Sequence, residues 1–143
     1  MSNEEEMRRL LVELRILEST AEALQSRINL VDAAFAELNM AKRTLEGMGK
    51  ENPEAPVFVP IGGGSYIKAK LTDVNKVVYG IGAGIAIEKS LEEAKHGVDE
   101  RLSELERSRR SLEQQLSQVI RRIQENRDRL QELTAGYRSE ERA

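Results

Sequence analysis

The sequence contains no cysteine and no tryptophan, and its 143 residues include one histidine, three prolines, two phenylalanines and three tyrosines. The lack of cysteine excludes a disulfide framework and any thiolate metal site, and it agrees with a reducing compartment. Aromatic residues make up only 3% of the chain, which argues against an ordinary globular core. The single histidine, His96, lies among charged residues and does not make a metal site alone. We therefore expect neither a metal nor a cofactor.

Long apolar runs and a secretory leader are also missing. The N-terminus reads M-S-N-E-E-E, without the basic and apolar regions of a signal peptide. The longest weakly polar run, residues 77–87, is too short and too rich in glycine to cross a bilayer. The chain has 22 basic and 25 acidic residues, and the two signs of charge are mixed along the sequence. This pattern is typical of long solvated helices. These features predict a soluble, cytoplasmic protein that binds neither nucleic acid nor membrane.

No catalytic motif is present. The glycines at 62–64 and 80–84 do not fit a phosphate-binding pattern, and they lie between β-branched runs rather than before a helix. Arginines at 107, 109, 110, 121 and 122 are interleaved with glutamates at helical spacing, which favours a salt-bridged solvated face over a nucleic-acid site. No acidic pair is held at a predicted pocket. We therefore do not expect an enzyme.

The first third of the sequence carries a heptad pattern of apolar residues. Twelve positions at alternating steps of three and four include eleven apolar residues over more than five heptads, which predicts a coiled-coil helix. We expect this helix to run from about Glu4 to Glu46. Ser2 and Glu5 form a capping box at its start. The twelve positions are Met7, Leu10, Leu14, Leu17, Ala21, Leu24, Ile28, Val31, Phe35, Leu38, Lys42 and Leu45.

The last third predicts a second long helix. Ser90 and Glu93 form another capping box, so the helix is expected to begin at Leu91, after a strand that ends near Glu88. Gly97 predicts a local irregularity, because glycine inside a helix costs about 1 kcal/mol relative to alanine. Fraying is expected over the last eight residues. The heptad positions are Leu91, Ala94, Val98, Leu102, Leu105, Arg109, Leu112, Leu116, Val119, Ile123, Asn126, Leu130, Leu133 and Tyr137.

The segment between the helices repeats itself at an offset of twenty residues. Val57 falls on Val77 and Gly62 on Gly82, and each copy has two β-branched runs around a glycine cluster, which predicts two tandem β-hairpins. Strand alternation puts the apolar residues of each hairpin on one face, with Tyr66, Lys68 and Lys70 on the other face of the first. The apolar face contains Val57, Val59, Ile61, Ile67, Ala69 and Leu71 in the first copy, and Val77, Tyr79, Ile81, Ile85 and Ile87 in the second.

The simplest arrangement pairs the two helices as an antiparallel coiled coil in which partner residue numbers add up to about 138. Both helices then use their apolar faces on each other, and nothing in the chain is left to cover the hairpins. Short strands with an exposed apolar face and open edges are unstable alone. We therefore expect a mainly α protein of the α+β class, whose two tandem hairpins form part of a β-structured body shared between subunits.

Two stretches, P-V-F-V-P-I-G-G-G-S-Y-I-K-A-K-L and V-V-Y-G-I-G-A-G-I-A-I-E-K-S-L-E-E-A, resemble the α-type subunits of the prefoldin family. The tandem hairpin resembles the α class, since β-class subunits carry a single hairpin. The resemblance implies a hexamer of two α-type and four β-type subunits, joined through a double β-barrel. It also implies coiled-coil tips that hold unfolded proteins and deliver them to a group II chaperonin without ATP.

With this resemblance, the chain divides into an N-terminal helix at 1–48, an oligomerisation region at 56–89 and a C-terminal helix at 90–137. Terminal turns of a coiled coil fray and expose seam residues part of the time, which suits a surface that binds many clients. The predicted client-binding residues are Met7, Leu10, Leu11, Leu130, Leu133 and Tyr137. The predicted oligomerisation residues are Val57, Val59, Ile61, Ile67, Leu71, Val77, Tyr79, Ile81, Ile85 and Ile87.

An alternative function is a coiled-coil adaptor or scaffold whose hairpins dock one fixed protein partner. The twenty-residue repeat favours the chaperone, because a simple scaffold does not need two tandem hairpins.

Overall fold

The computed structural model describes residues 2–142 and consists of two long helices with two β-hairpins between them. The elements are α1 (Asn3–Met48), β1 (Pro56–Gly62), β2 (Ser65–Lys70), β3 (Lys76–Gly82), β4 (Ile85–Ser90) and α2 (Leu91–Arg142). The order and type of these elements confirm the predicted coiled-coil and tandem-hairpin fold. The chain divides into two compact units, one formed by the residues up to Ala33 and from Glu106 onward, and the other by Ala34–Leu105.

Both helices begin at the predicted serine caps. The Glu5 N–H donates to Ser2 Oγ at 3.2 Å, and the Glu93 N–H donates to Ser90 Oγ at 3.1 Å. Each bond satisfies one of the N–H groups that lack a partner in the first turn of a helix. Acidic residues fill both first turns, where they oppose the positive end of the helix dipole.

The structure differs from the sequence-based expectations in three details. β4 extends to Ser90 rather than ending near Glu88, because Ser90 pairs with Lys76 and caps α2 at the same time. α2 continues through Gly136 to Arg142, since one glycine costs too little to end a helix of 52 residues. α2 is also continuous at Gly97, where an irregularity was expected.

In the unit that contains both chain ends, segments of α1 and α2 pack antiparallel along the predicted heptad positions. Leu10, Leu17, Leu24 and Ile28 of α1 are buried, as are Ile123 and Leu133 of α2. Four ion pairs cross between the helices in this unit, namely Glu6–Arg129, Glu13–Arg122, Glu18–Arg127 and Asp32–Arg109. Their residue numbers add up to between 135 and 145, a range that contains the predicted sum of about 138. The predicted helix faces and the antiparallel register are therefore confirmed in this unit.

The second unit combines the end of α1, both hairpins and the start of α2. Lys42 Nζ of α1 lies 3.0 Å from Asp99 Oδ1 of α2, and Gly49 lies against the Leu91 side chain. The end of α1 and the start of α2 therefore also run antiparallel. The residues that flank the hairpins in sequence include five buried ones, namely Ala55, Val74, Leu91, Ala94 and Val98. Ala55 and Val74 were missed in the sequence because each is a single apolar residue within a polar link.

The two hairpins form separate two-stranded antiparallel sheets with the same internal geometry. In the first, Val59 pairs with Ile67, and in the second Tyr79 pairs with Ile87, twenty residues later. The pairing shifts register between residues 60 and 62 in one hairpin and between residues 80 and 82 in the other. The sequence repeat is therefore a repeat of strand register and of bulge position.

Each hairpin turn uses residues with positive φ. Gly63 and Gly64 have φ of 56° and 76°, and Ala83 and Gly84 have φ of 53° and 74°. Two successive residues with positive φ fit the tight two-residue turn that matches the twist of paired strands. The turn explains the glycine clusters without any ligand.

Candidate functional site

The hairpins present apolar side chains that the rest of the chain does not cover. Val59 and Ile67 lie opposite each other on one face of the first hairpin, and both are exposed. On the second hairpin Ile81, Ile85 and Ile87 are exposed as well. Exposed apolar groups next to open strand edges are typical of a surface that takes part in contacts with other chains.

The ten predicted oligomerisation residues fall into two groups in the structure. Ile61 and Ile81 lie at the register shifts, so they do not sit opposite a single cross-strand partner. The exposed group contains Val59, Ile61, Ile67, Ile81, Ile85 and Ile87. The half-buried group contains Val57, Leu71, Val77 and Tyr79. Their role in binding other subunits stays a prediction.

The first hairpin also carries exposed aromatic side chains on its other face, where the sequence places Lys68 and Lys70. Phe58 and Tyr66 lie there, 68% and 61% exposed, with ring centroids 6.3 Å apart in an edge-to-face arrangement. Val78, at the position of Phe58 in the repeat, is exposed too. The signal was present as aromatic and valine residues at alternate positions, but Lys68 and Lys70 on the same face made it read as polar. Partners can therefore contact the first hairpin on both faces.

The second hairpin differs because it contacts α2 through Tyr79. A Cβ added to Gly97 would lie 2.6 Å from Tyr79 Oη, so the tyrosine occupies the space of the missing side chain. The guanidinium of Arg101 lies 4.5 Å from the centroid of the Tyr79 ring, and its Nη2 donates to the Gly80 carbonyl oxygen at 2.7 Å. The expectation that nothing in the chain covers the hairpins is wrong at this point. The contact is possible because Gly97 has no side chain, which leaves room for the tyrosine ring on the side of α2.

The predicted client-binding residues differ in exposure. Leu10 and Leu133 are buried, with 6% and 5% of their surface exposed, and Met7 and Leu130 are half-buried. Leu11 is 52% exposed, and Tyr137 is exposed as well. With the helices paired, the last two are therefore the members of the set that solvent reaches freely. The contribution of all six to client binding stays a prediction.

A two-point ion pair lies beside these residues. Arg129 of α2 donates from Nε to Glu6 Oε1 at 3.0 Å and from Nη2 to Glu6 Oε2 at 3.3 Å. The hydrogen bond from Arg129 lowers the pKa of Glu6, so the carboxylate remains charged to lower pH. Arg129 therefore links the first turns of α1 to α2 near the buried Leu10 and Leu133.

The other perturbed titratable groups also belong to ion pairs between helices. The hydrogen bond from Arg109 lowers the pKa of Asp32, and the hydrogen bond to Asp99 raises the pKa of Lys42. These groups are spread along the helices rather than gathered at one point. Within residues 2–142, no group of three or more histidine, cysteine, aspartate or glutamate side chains could hold a metal ion. The perturbed groups therefore serve helix pairing.

Comparison with known proteins agrees with this geometry. The model of the prefoldin subunit family matches residues 17–136. Prefoldin subunit alpha of Methanopyrus kandleri is 33% identical over 79% of this chain and 72% of its own. Prefoldin subunit alpha of Pyrococcus horikoshii is 32% identical over 92% of this chain and 89% of its own.

A solved structure is similar as well. A chain from the cryo-EM structure of filamentous PFD from Methanocaldococcus jannaschii matches with a TM-score of 0.68 and 27% identity, over 78% of this chain and 92% of that one. In the described part of the chain, neither helix has the length of apolar sequence that a membrane crossing needs.

Proposed function

The chain belongs to the prefoldin family, and from this we propose that it is an α-type chaperone subunit that holds unfolded proteins without ATP. The observation that carries the proposal is the exposed apolar surface of the tandem hairpins in a chain of this family. That surface needs partner chains, and the helix ends offer a place for clients.

Assembly follows from the cost of leaving the hairpins uncovered. Two-stranded sheets are marginal alone, and here their apolar residues face solvent on six of the predicted contact positions. We place these residues in a double β-barrel shared by two α-type and four β-type subunits. Both exposed faces of the first hairpin then have a use, one inside the barrel and one at its rim.

Client binding needs apolar side chains without a fixed shape, because unfolded proteins share only exposed apolar groups and backbone. Leu11 and Tyr137 provide such groups in the paired state, and Met7 provides part of one. Each contact is weak, and affinity arises from several tips acting on one client. A weak, adaptable surface suits a protein that holds its clients briefly and then passes them on. We place the protein in the cytoplasm and take a group II chaperonin as the recipient.

The test is suppression of aggregation by the reassembled oligomer. The chain is combined with β-type prefoldin subunits, checked for size by sedimentation, and mixed below stoichiometry with an unrelated unfolding protein. The variant Leu11→Ser/Tyr137→Ser removes the exposed apolar groups at the tip and leaves the buried seam intact. The matched control is Leu30→Ser/Met40→Ser, which removes two exposed apolar residues elsewhere on α1.

We expect the tip variant to lose most of its protection and the control to keep it, with both oligomers of normal size. Full protection by the tip variant would move the client site to another surface. Failure of the wild-type oligomer to protect several unrelated clients, together with tight binding to one protein, would favour the adaptor function instead.

A further inference from the structure

The two hairpins repeat each other in register and turn but differ in their relation to α2. Tyr79 occupies the position that Val59 has in the first hairpin, and Lys89 occupies that of Ala69. The second hairpin thus has an aromatic ring and a cation where the first has two aliphatic side chains. Both residues take part in the contact between this hairpin and α2.

The ring of Tyr79 lies on α2 at Gly97. An added Cβ at residue 97 would be 2.6 Å from Tyr79 Oη and 3.0 Å from Tyr79 Cζ. Side-chain carbons do not approach other atoms so closely, so this position of the ring requires glycine at 97. Gly136 in the same helix has no neighbour within 4 Å of an added Cβ, so the two helical glycines differ in what they allow.

Two cations hold the same ring. The Arg101 guanidinium, one turn along α2 from Gly97, lies 4.5 Å from the ring centroid, and Lys89 Nζ of β4 lies 4.9 Å from it. Arg101 also donates to the Gly80 carbonyl oxygen at 2.7 Å, which ties the backbone of β3 to the helix. The contact therefore joins α2, β3 and β4 within one chain.

We propose that Tyr79, Gly97, Arg101 and Lys89 form a clamp that fixes the second hairpin on α2 before any partner binds. Tyr79 is the positioning residue of this clamp. The hairpins then enter assembly in different states, with the second held in place and the first free to adjust to a partner. This consequence for assembly rests on the proposed function, whereas the clamp itself is a property of the single chain.

Hydrogen exchange of the full-length chain tests the clamp without partners or clients. A hairpin of two strands is marginal alone, so its amides should lose protection when the clamp opens. In Gly97→Ala we expect the amide hydrogens of residues 76–90 to exchange about tenfold faster than in the wild type, while the exchange rates of residues 56–70 are unchanged. Gly136→Ala is the matched control and should leave both hairpins unchanged.

Rescue variants separate the clamp from a general loss of structure. Tyr79→Phe removes the atom closest to residue 97, so Tyr79→Phe/Gly97→Ala should recover part of the protection lost in Gly97→Ala. In a Tyr79→Val background, Gly97→Ala should cause no further loss. If Gly97→Ala left residues 76–90 as protected as in the wild type, or loosened both hairpins equally, the clamp would be wrong.

Assembly provides a second measurement. With β-type subunits in excess, Gly97→Ala should slow formation of the oligomer about tenfold, and Tyr79→Phe/Gly97→Ala should restore part of the rate. A normal assembly rate combined with fast exchange of residues 76–90 would keep the clamp but overturn its role in assembly.

Discussion

Ala83 has the same left-handed backbone conformation as Gly63, with φ of 53° and 56° respectively, at matching positions of the two hairpin turns. A side chain at positive φ is unfavourable, and the remaining turn positions of both hairpins are glycine. The second hairpin therefore carries backbone strain that the first does not.

Substitutions at Ala83 and Gly63 should move the backbone strain from the second hairpin to the first. Ala83→Gly should stabilise the second hairpin by up to about 1 kcal/mol, because relief of strain outweighs the added entropy of glycine in the unfolded chain. Gly63→Ala should destabilise the first hairpin by a similar amount, since space is available there and only φ opposes the side chain. Hydrogen exchange of each hairpin measures both effects. Equal protection in Ala83→Gly and the wild type would contradict this account.

The heptad seam should be sensitive to truncation at a buried position. Leu24 is 5% exposed, so Leu24→Ala should lower the free energy of unfolding by about 2–4 kcal/mol. Leu30 on the same helix is 71% exposed, and Leu30→Ala is the matched control, with an expected change below about 0.5 kcal/mol. Urea denaturation of the assembled protein measures both. Equal effects would mean that the seam does not follow the heptad positions.

The cross-helix ion pairs should make the protein less stable in acid. Arg109 lowers the pKa of Asp32 below its ordinary 3.8, and Arg129 lowers that of Glu6 below its ordinary 4.5. The stability from these pairs is present above the ordinary values and is lost as pH falls through the lowered ones. Asp32→Asn should therefore unfold at lower urea than the wild type at pH 6, with a smaller difference at pH 3. Glu22→Gln, an exposed change on the same helix, is the control, and the same pH dependence in both variants would refute this role for Asp32.

The exposed hairpin residues should be needed for assembly but not for helix formation. Ile67 and Ile87 occupy equivalent, exposed positions, so Ile67→Lys/Ile87→Lys places charge on the apolar surface without disturbing a core. We expect normal helicity by circular dichroism and loss of the oligomer by sedimentation. Glu88→Lys, on the other face of the second hairpin, controls for the added charge. An oligomer of wild-type size from the double variant would show that these faces are not the interface.

Local patterns predicted most of this fold. Heptad spacing gave the helix faces, serine caps gave the helix starts, and the twenty-residue repeat gave the hairpins. Long-range contacts were less accessible. The sequence suggests that Gly97 weakens the helix. It does not show that the ring of Tyr79, eighteen residues earlier in the chain, fills the space of the missing side chain.

Lys42 shows the same limit. It is the one polar residue among the twelve heptad positions of α1, and its Nζ lies 3.0 Å from Asp99 Oδ1 on the other helix. An ion pair at the surface contributes little stability but some, so Lys42→Leu should stabilise less than the heptad alone suggests. The client-binding set was assigned from position along the chain, which does not show that Leu10 and Leu133 are buried.

The four ion pairs that cross between the helices in the described part of the unit with both chain ends have the same sense, with the acid on α1 and the arginine on α2. Pairing α1 with α1 of another chain would bring carboxylates together, and pairing α2 with α2 would bring arginines together. Repulsion between like charges therefore opposes the pairing of α1 with α1 or of α2 with α2 when several copies lie close together. Exchange of whole helices between chains, with α1 of one copy on α2 of the next, would keep every pair intact. If these helices misassemble, we therefore expect domain swapping rather than association of like helices.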